Sequence, residues 1–153
     1  IIELCKFIEK DDNLEHVVKK MDELISKVKL AAVIGDLKYL RASGRLSATS
    51  QVMGNMLNIK PIVTLNGGKV NNEAKIMGEN KANMYLINKA LNRDTSLPVY
   101  FGHSDCRDVI EKFVEKYSPM LGINPKEQVI CDIGCVVGSH VGPKCYGLVW
   151  FEK

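Results

Sequence analysis

Apolar residues recur along the chain at two spacings, one near 3.6 and one of two, and the changes between them mark the elements. Behind Asn13, a good N-cap, the residues Leu14, Val17, Val18, Met21, Leu24, Ile25 and Val28 form a helical stripe expected to bury one face. Lys29 to Ile34 then reads as a short buried strand closed by Gly35, and Asp36 can cap a brief helix through Leu37, Tyr39 and Leu40. Beyond Ser47, Val52, Met53, Met56 and Leu57 return to helical spacing, and Pro61 imposes an extended stretch over Ile59 to Leu65. Asn66, Gly67 and Gly68 supply the positive-φ residues of a tight hairpin. Ile62 to Leu65 and Lys69 to Ala74 are therefore expected to pair antiparallel.

Past the hairpin, helices and strands alternate. Asn80 to Asn92 reads as a helix and Val99 to Gly102 as a buried strand. Val109, Ile110, Phe113, Val114 and Tyr117 mark a second helix, which Pro119 and Gly122 end. Val129, Cys131 and Ile133 alternate as in a strand, a glycine-rich turn follows, and Tyr146 to Phe151 forms the last strand. The alternation calls for crossover units, while the hairpin adds antiparallel pairing. An α/β domain of two layers, with a mixed β-sheet covered by helices, satisfies both.

Composition narrows the class without assigning a function. A chain of 153 residues with 46% hydrophobic and 25% charged residues can bury a genuine core and is unlike disordered or fibrous sequences. The net charge of +3 comes from 21 basic and 18 acidic residues without a run of five like charges, which argues against a nucleic-acid partner. No apolar stretch reaches the roughly 18 residues needed to cross a bilayer, so no transmembrane segment is expected. Five cysteines, an odd number, suit a reducing compartment, and a cytoplasmic location follows as the expectation. The start at Ile1 rather than a methionine suggests a piece of a longer polypeptide.

Two segments carry the candidate chemistry. In Ile133-Gly134-Cys135-Val136-Val137-Gly138-Ser139-His140-Val141-Gly142-Pro143, three glycines let backbone N–H groups approach an anion while His140 adds a polar contact. A carboxylate is one reading, and a strand-to-strand glycine turn with a satisfied histidine is the other. The lysine and hydroxyl residue of a phosphate-binding P-loop are absent. In Asp36 to Ser47, Arg41 and Arg45 flank a flexible turn, which reads either as an anion-facing or partner-facing surface or as a solvated helix end.

These segments, with a third, carry a resemblance. Asp36-Leu37-Lys38-Tyr39-Leu40-Arg41 through Gly44-Arg45, then Gly54-Asn55-Met56-Leu57-Asn58-Ile59-Lys60-Pro61-Ile62, then Gly138-Ser139-His140-Val141-Gly142-Pro143 resemble, in order and spacing, three signatures of the DegV family. The resemblance implies a family carboxyl-terminal domain over residues 14–153, with residues 1–13 as an interdomain segment and the amino-terminal family domain absent. It implies a protein that binds a long-chain fatty acid, catalyses nothing by itself and needs no cofactor. It further implies that a fatty acid kinase can be its partner, phosphorylating the carboxylate the protein presents. On this resemblance His140 and Ser139 meet the fatty-acid carboxylate, Met53, Met56, Leu57, Ile59 and Ile62 line the acyl pocket, and Arg45 and Arg41 face the partner. The sequence departs from the family's usual residues at Met77 and Glu79, where arginines are common, and at Cys135, where proline is.

The rival readings come from other classes. His103 and Cys106, with His140, could serve a cysteine-dependent or metal-dependent enzyme, although no nucleophile motif surrounds either cysteine and zinc sites usually show tighter paired motifs. An interaction fragment without a ligand of its own is the third. No metal site is expected.

Overall fold

The computed structural model describes residues 1–45, 58–66 and 68–153. Among them six strands form one mixed sheet in the order β3-β2-β1-β6-β4-β5. The strands are β1 (Val28–Val33), β2 (Ile59–Asn66), β3 (Lys69–Met77), β4 (Tyr100–Ser104), β5 (Ile130–Asp132) and β6 (Cys145–Phe151). All neighbours pair antiparallel except β4 and β5, which are parallel and joined by the crossover helix α5 (Arg107–Tyr117). The remaining helices are α1 (Ile2–Ile8), α2 (Leu14–Lys27), α3 (Leu37–Ala42), α4 (Glu79–Ala90) and α6 (Cys135–Val141).

Two apolar clusters fill the two faces of the sheet. On one face Ile62, Phe101, Leu148 and Trp150 from the strands meet Leu86 and Ile87 of α4 and Ile110 and Phe113 of α5. This is the larger core, and each such side chain contributes about 1.5–3 kcal/mol when fully buried. The opposite face carries Ala32, Ile34, Val63 and Cys145 under Leu37 and Leu40 of α3, with Val141 of α6 packed against them. The sheet and the α4–α5 layer are thus the principal layers, and the short α3 and α6 rest on the other face at one end.

Local chemistry accounts for the boundaries. Asn13 Oδ1 accepts from the Glu15 and His16 amides to start α2, and Asp36 Oδ1 accepts from the Lys38 amide to start α3. Two buried polar groups are partnered: Tyr146 Oη donates to Asn83 Oδ1 at 2.8 Å, and the buried Arg93 guanidinium donates to the Leu121 carbonyl at 2.8 Å, whereas the Trp150 indole N–H in the larger core has no partner among the described residues.

The observed elements follow the predicted order, but helix α1 stands in the stretch expected to be an interdomain segment, β3 runs on to Met77 rather than Ala74, and other elements differ as well. The first strand begins one residue earlier, at Val28 rather than Lys29. The stripe of α2 buries Leu24 but leaves Leu14, Val18, Met21 and Ile25 exposed, because α2 stands off the sheet with α1 beside it. The glycine-rich segment after β5 is a helix, α6, rather than a turn: Gly138 N–H donates to Gly134 O and Gly142 N–H to Gly138 O, both at 2.8 Å, so helical bonds hold despite the glycines. The helix expected around Val52, Met53, Met56 and Leu57 lies outside the described residues.

Candidate functional site

Four strand ends converge at one edge of the sheet. The register pairs Val33 with Tyr146, Ser104 with Cys145 and His103 with Asp132, which brings the carboxyl ends of β1, β4 and β5 beside the amino end of β6. Here α3 leaves β1 and α6 leads into β6. The backbone is unusual at this edge: Gly142, Lys144 and Asp105 take φ of 73°, 61° and 51°. A left-handed non-glycine residue costs on the order of 1 kcal/mol and persists only where its surroundings hold it. Lys144 is held by its amide, which donates to the Ser104 carbonyl at 2.7 Å.

The helix α6 presents the predicted head-group residues. His140 is half-buried, and its Nδ1 is fully covered yet has no hydrogen-bond partner. Leaving a buried polar atom unsatisfied costs about 1–3 kcal/mol. Asn72 Oδ1, His103 Nε2, Ser118 Oγ and Trp150 Nε1 are likewise covered and unpartnered among the described residues, and of these atoms only that of His140 lies on α6. Ser139 is exposed, and its hydroxyl donates to the Val136 carbonyl at 2.8 Å, within its own helix.

Across the contact between α6 and α3 stand the two arginines. Arg41 lies in the last turn of α3 and is exposed. Arg45 follows it, also exposed, with its amide donating to Leu40 O at 2.9 Å and its guanidinium donating to Ser43 O. Ile59 shares a face with Val63 by strand alternation and therefore lies on the α3–α6 side. Ile62 does not join it. Its side chain is fully buried in the α4–α5 core on the opposite face, the consequence of a period of two in β2. Met53, Met56 and Leu57 fall outside the described residues.

Two features at this edge were missed from sequence. The ring of Tyr39 lies against Gly142, and Gly35 lets the start of α3 approach the loop before β6. Only the glycine-proline pair Gly142-Pro143 hinted at a close backbone approach.

Cys106, Cys145 and His103 are buried. The Cys106 amide approaches His103 Nδ1 at 3.5 Å, at the start of α5. His103 Nε2 stands 3.2 Å from the exposed Asp132 carboxylate, without hydrogen-bond alignment. The Cys106 thiol donates to the Cys145 carbonyl at 3.3 Å. Burial raises the pKa of Cys106, and burial pushes Cys145 up to about 12, the opposite of an activated nucleophile. Among the described residues no three His, Cys, Asp or Glu side chains group as metal ligands, and no helix is long and apolar enough to cross a membrane.

A mixed sheet with one parallel pair, a crossover helix and two short helices at one edge defines an α/β domain whose polar groups gather where its strand ends meet. The family follows from comparison: the model described as "Uncharacterised protein, DegV family" matches residues 1–153, and the chain belongs to the DegV family. A DegV domain-containing protein of Clostridium acetobutylicum is 30% identical over 145 residues, covering 92% of this chain and 50% of that protein. Among solved structures, one described as fatty acid binding of a DegV family protein from Thermus thermophilus superposes with a TM-score of 0.79 at 24% identity, covering 99% of this chain and 55% of that one. A DegV family protein from Eubacterium eligens, loaded with heptadecanoic acid, superposes with a TM-score of 0.83 at 17% identity, covering 99% and 55%. At these identities the likeness establishes the fold. The chain spans about half the length of the relatives it matches.

Proposed function

We propose that this chain forms part of a binding site for a long-chain fatty acid, with the carboxylate at the α6 edge near His140 and Ser139. The tail would lie over the α3–α6 face toward Ile59. The observation that carries this reading is the covered and unsatisfied His140 Nδ1, on a fold whose solved relatives are described as holding fatty acids. A second feature supports it: Ala32, Gly147 and Gly102 pair side by side across β1, β6 and β4 on the same face, a low floor beneath an acyl chain. Ile62, buried on the opposite face, lies away from this proposed tail path, whereas Met53, Met56 and Leu57 stay in the proposal on the strength of the sequence alone.

The energetics divide the labour. Burying a long tail yields about 0.8 kcal/mol per methylene, on the order of 10 kcal/mol gross, whereas a charge-assisted hydrogen bond nets about 1.5–3 kcal/mol. The tail sets affinity and the head group sets position. Burial raises rather than lowers the pKa of Cys106 and Cys145, which supports binding rather than thiol catalysis as the proposed role. In the finer form of the proposal, the exposed Arg41 and Arg45 face a fatty acid kinase that phosphorylates the presented carboxylate. Mass spectrometry of an organic extract of the purified protein tests the binding reading. Release of a saturated or monounsaturated long-chain acid is expected. An extract without lipid, together with no uptake of added stearic acid, would refute it.

A further inference from the structure

The end of α6 is held from the side by an aromatic ring. A Cβ built on Gly142 would stand 2.2 Å from Tyr39 Cδ2, 2.6 Å from Cγ and 2.7 Å from Cε2, so the ring rests on the glycine backbone where any side chain would be. Gly142 is the last residue bonded into the helix, its amide donating to Gly138 O at 2.8 Å, and it lies two residues beyond His140. Its φ of 73° is a conformation that glycine adopts freely. The ring is itself anchored. Tyr39 sits between Leu37 and Leu40, whose side chains are buried beneath α3 together with Val141 of α6, and Lys38 Nζ lies 5.0 Å from the ring centroid.

We infer that Tyr39 is a positioning residue for His140: its ring fixes the last turn of α6 and so aims the imidazole at the ligand carboxylate. The inference rests on the reading of His140 as the head-group contact, but it makes a separate claim about how that contact is held. The ring blocks the sideways movement of Gly142 that would let the final turn unwind. Without it, α6 is a seven-residue helix containing Gly138 and ending in Gly142, too short and too flexible to hold a side chain by its own hydrogen bonds. The Tyr39 hydroxyl has no part in this, so phenylalanine should replace tyrosine without loss.

The test uses the 153-residue chain and two probes with the same tail, stearic acid and octadecan-1-ol, whose affinities for the wild type, Tyr39→Phe, Tyr39→Leu and Tyr39→Ala are compared. In the wild type a head-group contact of ordinary strength favours the acid by about tenfold or more. Tyr39→Phe should keep that preference. Tyr39→Ala should reduce it to within about threefold while alcohol affinity changes little, since one head-group contact is lost and the tail is not. Tyr39→Leu, which keeps apolar bulk without a flat ring, should fall between them and guards against a folding defect in the alanine variant. If Tyr39→Ala keeps the acid preference, or weakens acid and alcohol equally, the positioning role is overturned. If the wild type itself shows no preference, the head-group reading fails instead. The anchoring of α6 is then judged from amide hydrogen exchange at Gly142 without ligand, which Tyr39→Ala should accelerate and Tyr39→Phe should not. Unchanged exchange in the alanine variant overturns the inference outright.

Discussion

A methyl group added to Gly35 would stand 2.5 Å from the Pro143 carbonyl oxygen and 2.8 Å from Lys144 Cβ, so the turn that starts α3 and the loop that ends α6 touch through a missing side chain. The φ of Gly35 is not the reason for glycine there, because it is not among the positive values. Space is. Gly35→Ala should therefore force the two segments apart at a cost of about 1–3 kcal/mol, the usual range for overpacking. Urea unfolding would measure it, and a variant as stable as the wild type would show that the loop before β6 yields freely.

The start of α3 also depends on charge. The Lys38 backbone amide above all, with help from the Lys38 ammonium, holds the Asp36 carboxyl below its usual range against the opposing effect of burial. A carboxylate whose folded pKa is depressed contributes stability that is complete above its unfolded pKa and is lost as pH falls through the folded value. Asp36→Ala should cost about 1 kcal/mol near neutral pH, as for other N-caps. The gap between variant and wild type should shrink as pH drops below roughly 3.9. Parallel thermal unfolding at pH 7 and pH 3 would reveal a constant gap if the capping charge were irrelevant.

The cysteines divide by accessibility. Cys5, Cys131 and Cys135 are exposed, whereas Cys106 and Cys145 are buried with raised pKa values. At pH 8 a colorimetric disulfide reagent should titrate three thiols quickly. Cys145 should lag by more than about a hundredfold, because each unit of raised pKa cuts the thiolate tenfold. Fast modification of four or five thiols in the native protein would revive the cysteine-dependent reading.

Much of the fold was legible because period, caps and turns agreed with one another. The stripe of α5 faces the core, Asn13 and Asp36 cap where expected, and the hairpin at Asn66 joins β2 to β3. Three things were not legible. Glycines at 134, 138 and 142 favour a turn locally, but packing of Val141 against α3 and the Tyr39 contact at Gly142 stabilise a helix there. The α2 stripe has a helical period, yet period alone does not name what covers it. Ile62 lies in a segment that matches a family signature, but strand alternation places it on the face away from the candidate site. The candidate site was legible as a segment, whereas its geometry depended on contacts between residues more than 90 positions apart.

Charge reversal at Arg45 should separate partner from ligand. Arg45 is exposed beyond α3, and its guanidinium meets only a neighbouring carbonyl among the contacts described. On the proposed partner surface, a reversed charge acts on encounter and register. With a fatty acid kinase catalytic subunit supplied, Arg45→Glu should lower acyl phosphate formation by tenfold or more, on the order of one lost charge contact, with lipid affinity changed by only a few fold. An equal loss of lipid binding would place Arg45 at the pocket instead.

His140→Ala should impair positioning more than holding. The imidazole Nδ1 is covered and unsatisfied, so removing the ring relieves that cost while deleting the contact proposed for the carboxylate. The deleted contact is worth about 1.5–3 kcal/mol, far below the gross tail term of about 10 kcal/mol, so a fatty acid should still co-purify with the variant. Two results separate the effects. Preference for stearic acid over octadecan-1-ol should collapse, and stability to urea in the absence of lipid should hold or rise slightly, because a buried unsatisfied nitrogen has been removed. If the variant is instead less stable without lipid and keeps its acid preference, His140 serves the packing of α6 alone, and the carboxylate must be sought elsewhere along the edge where β1, β4 and β6 meet.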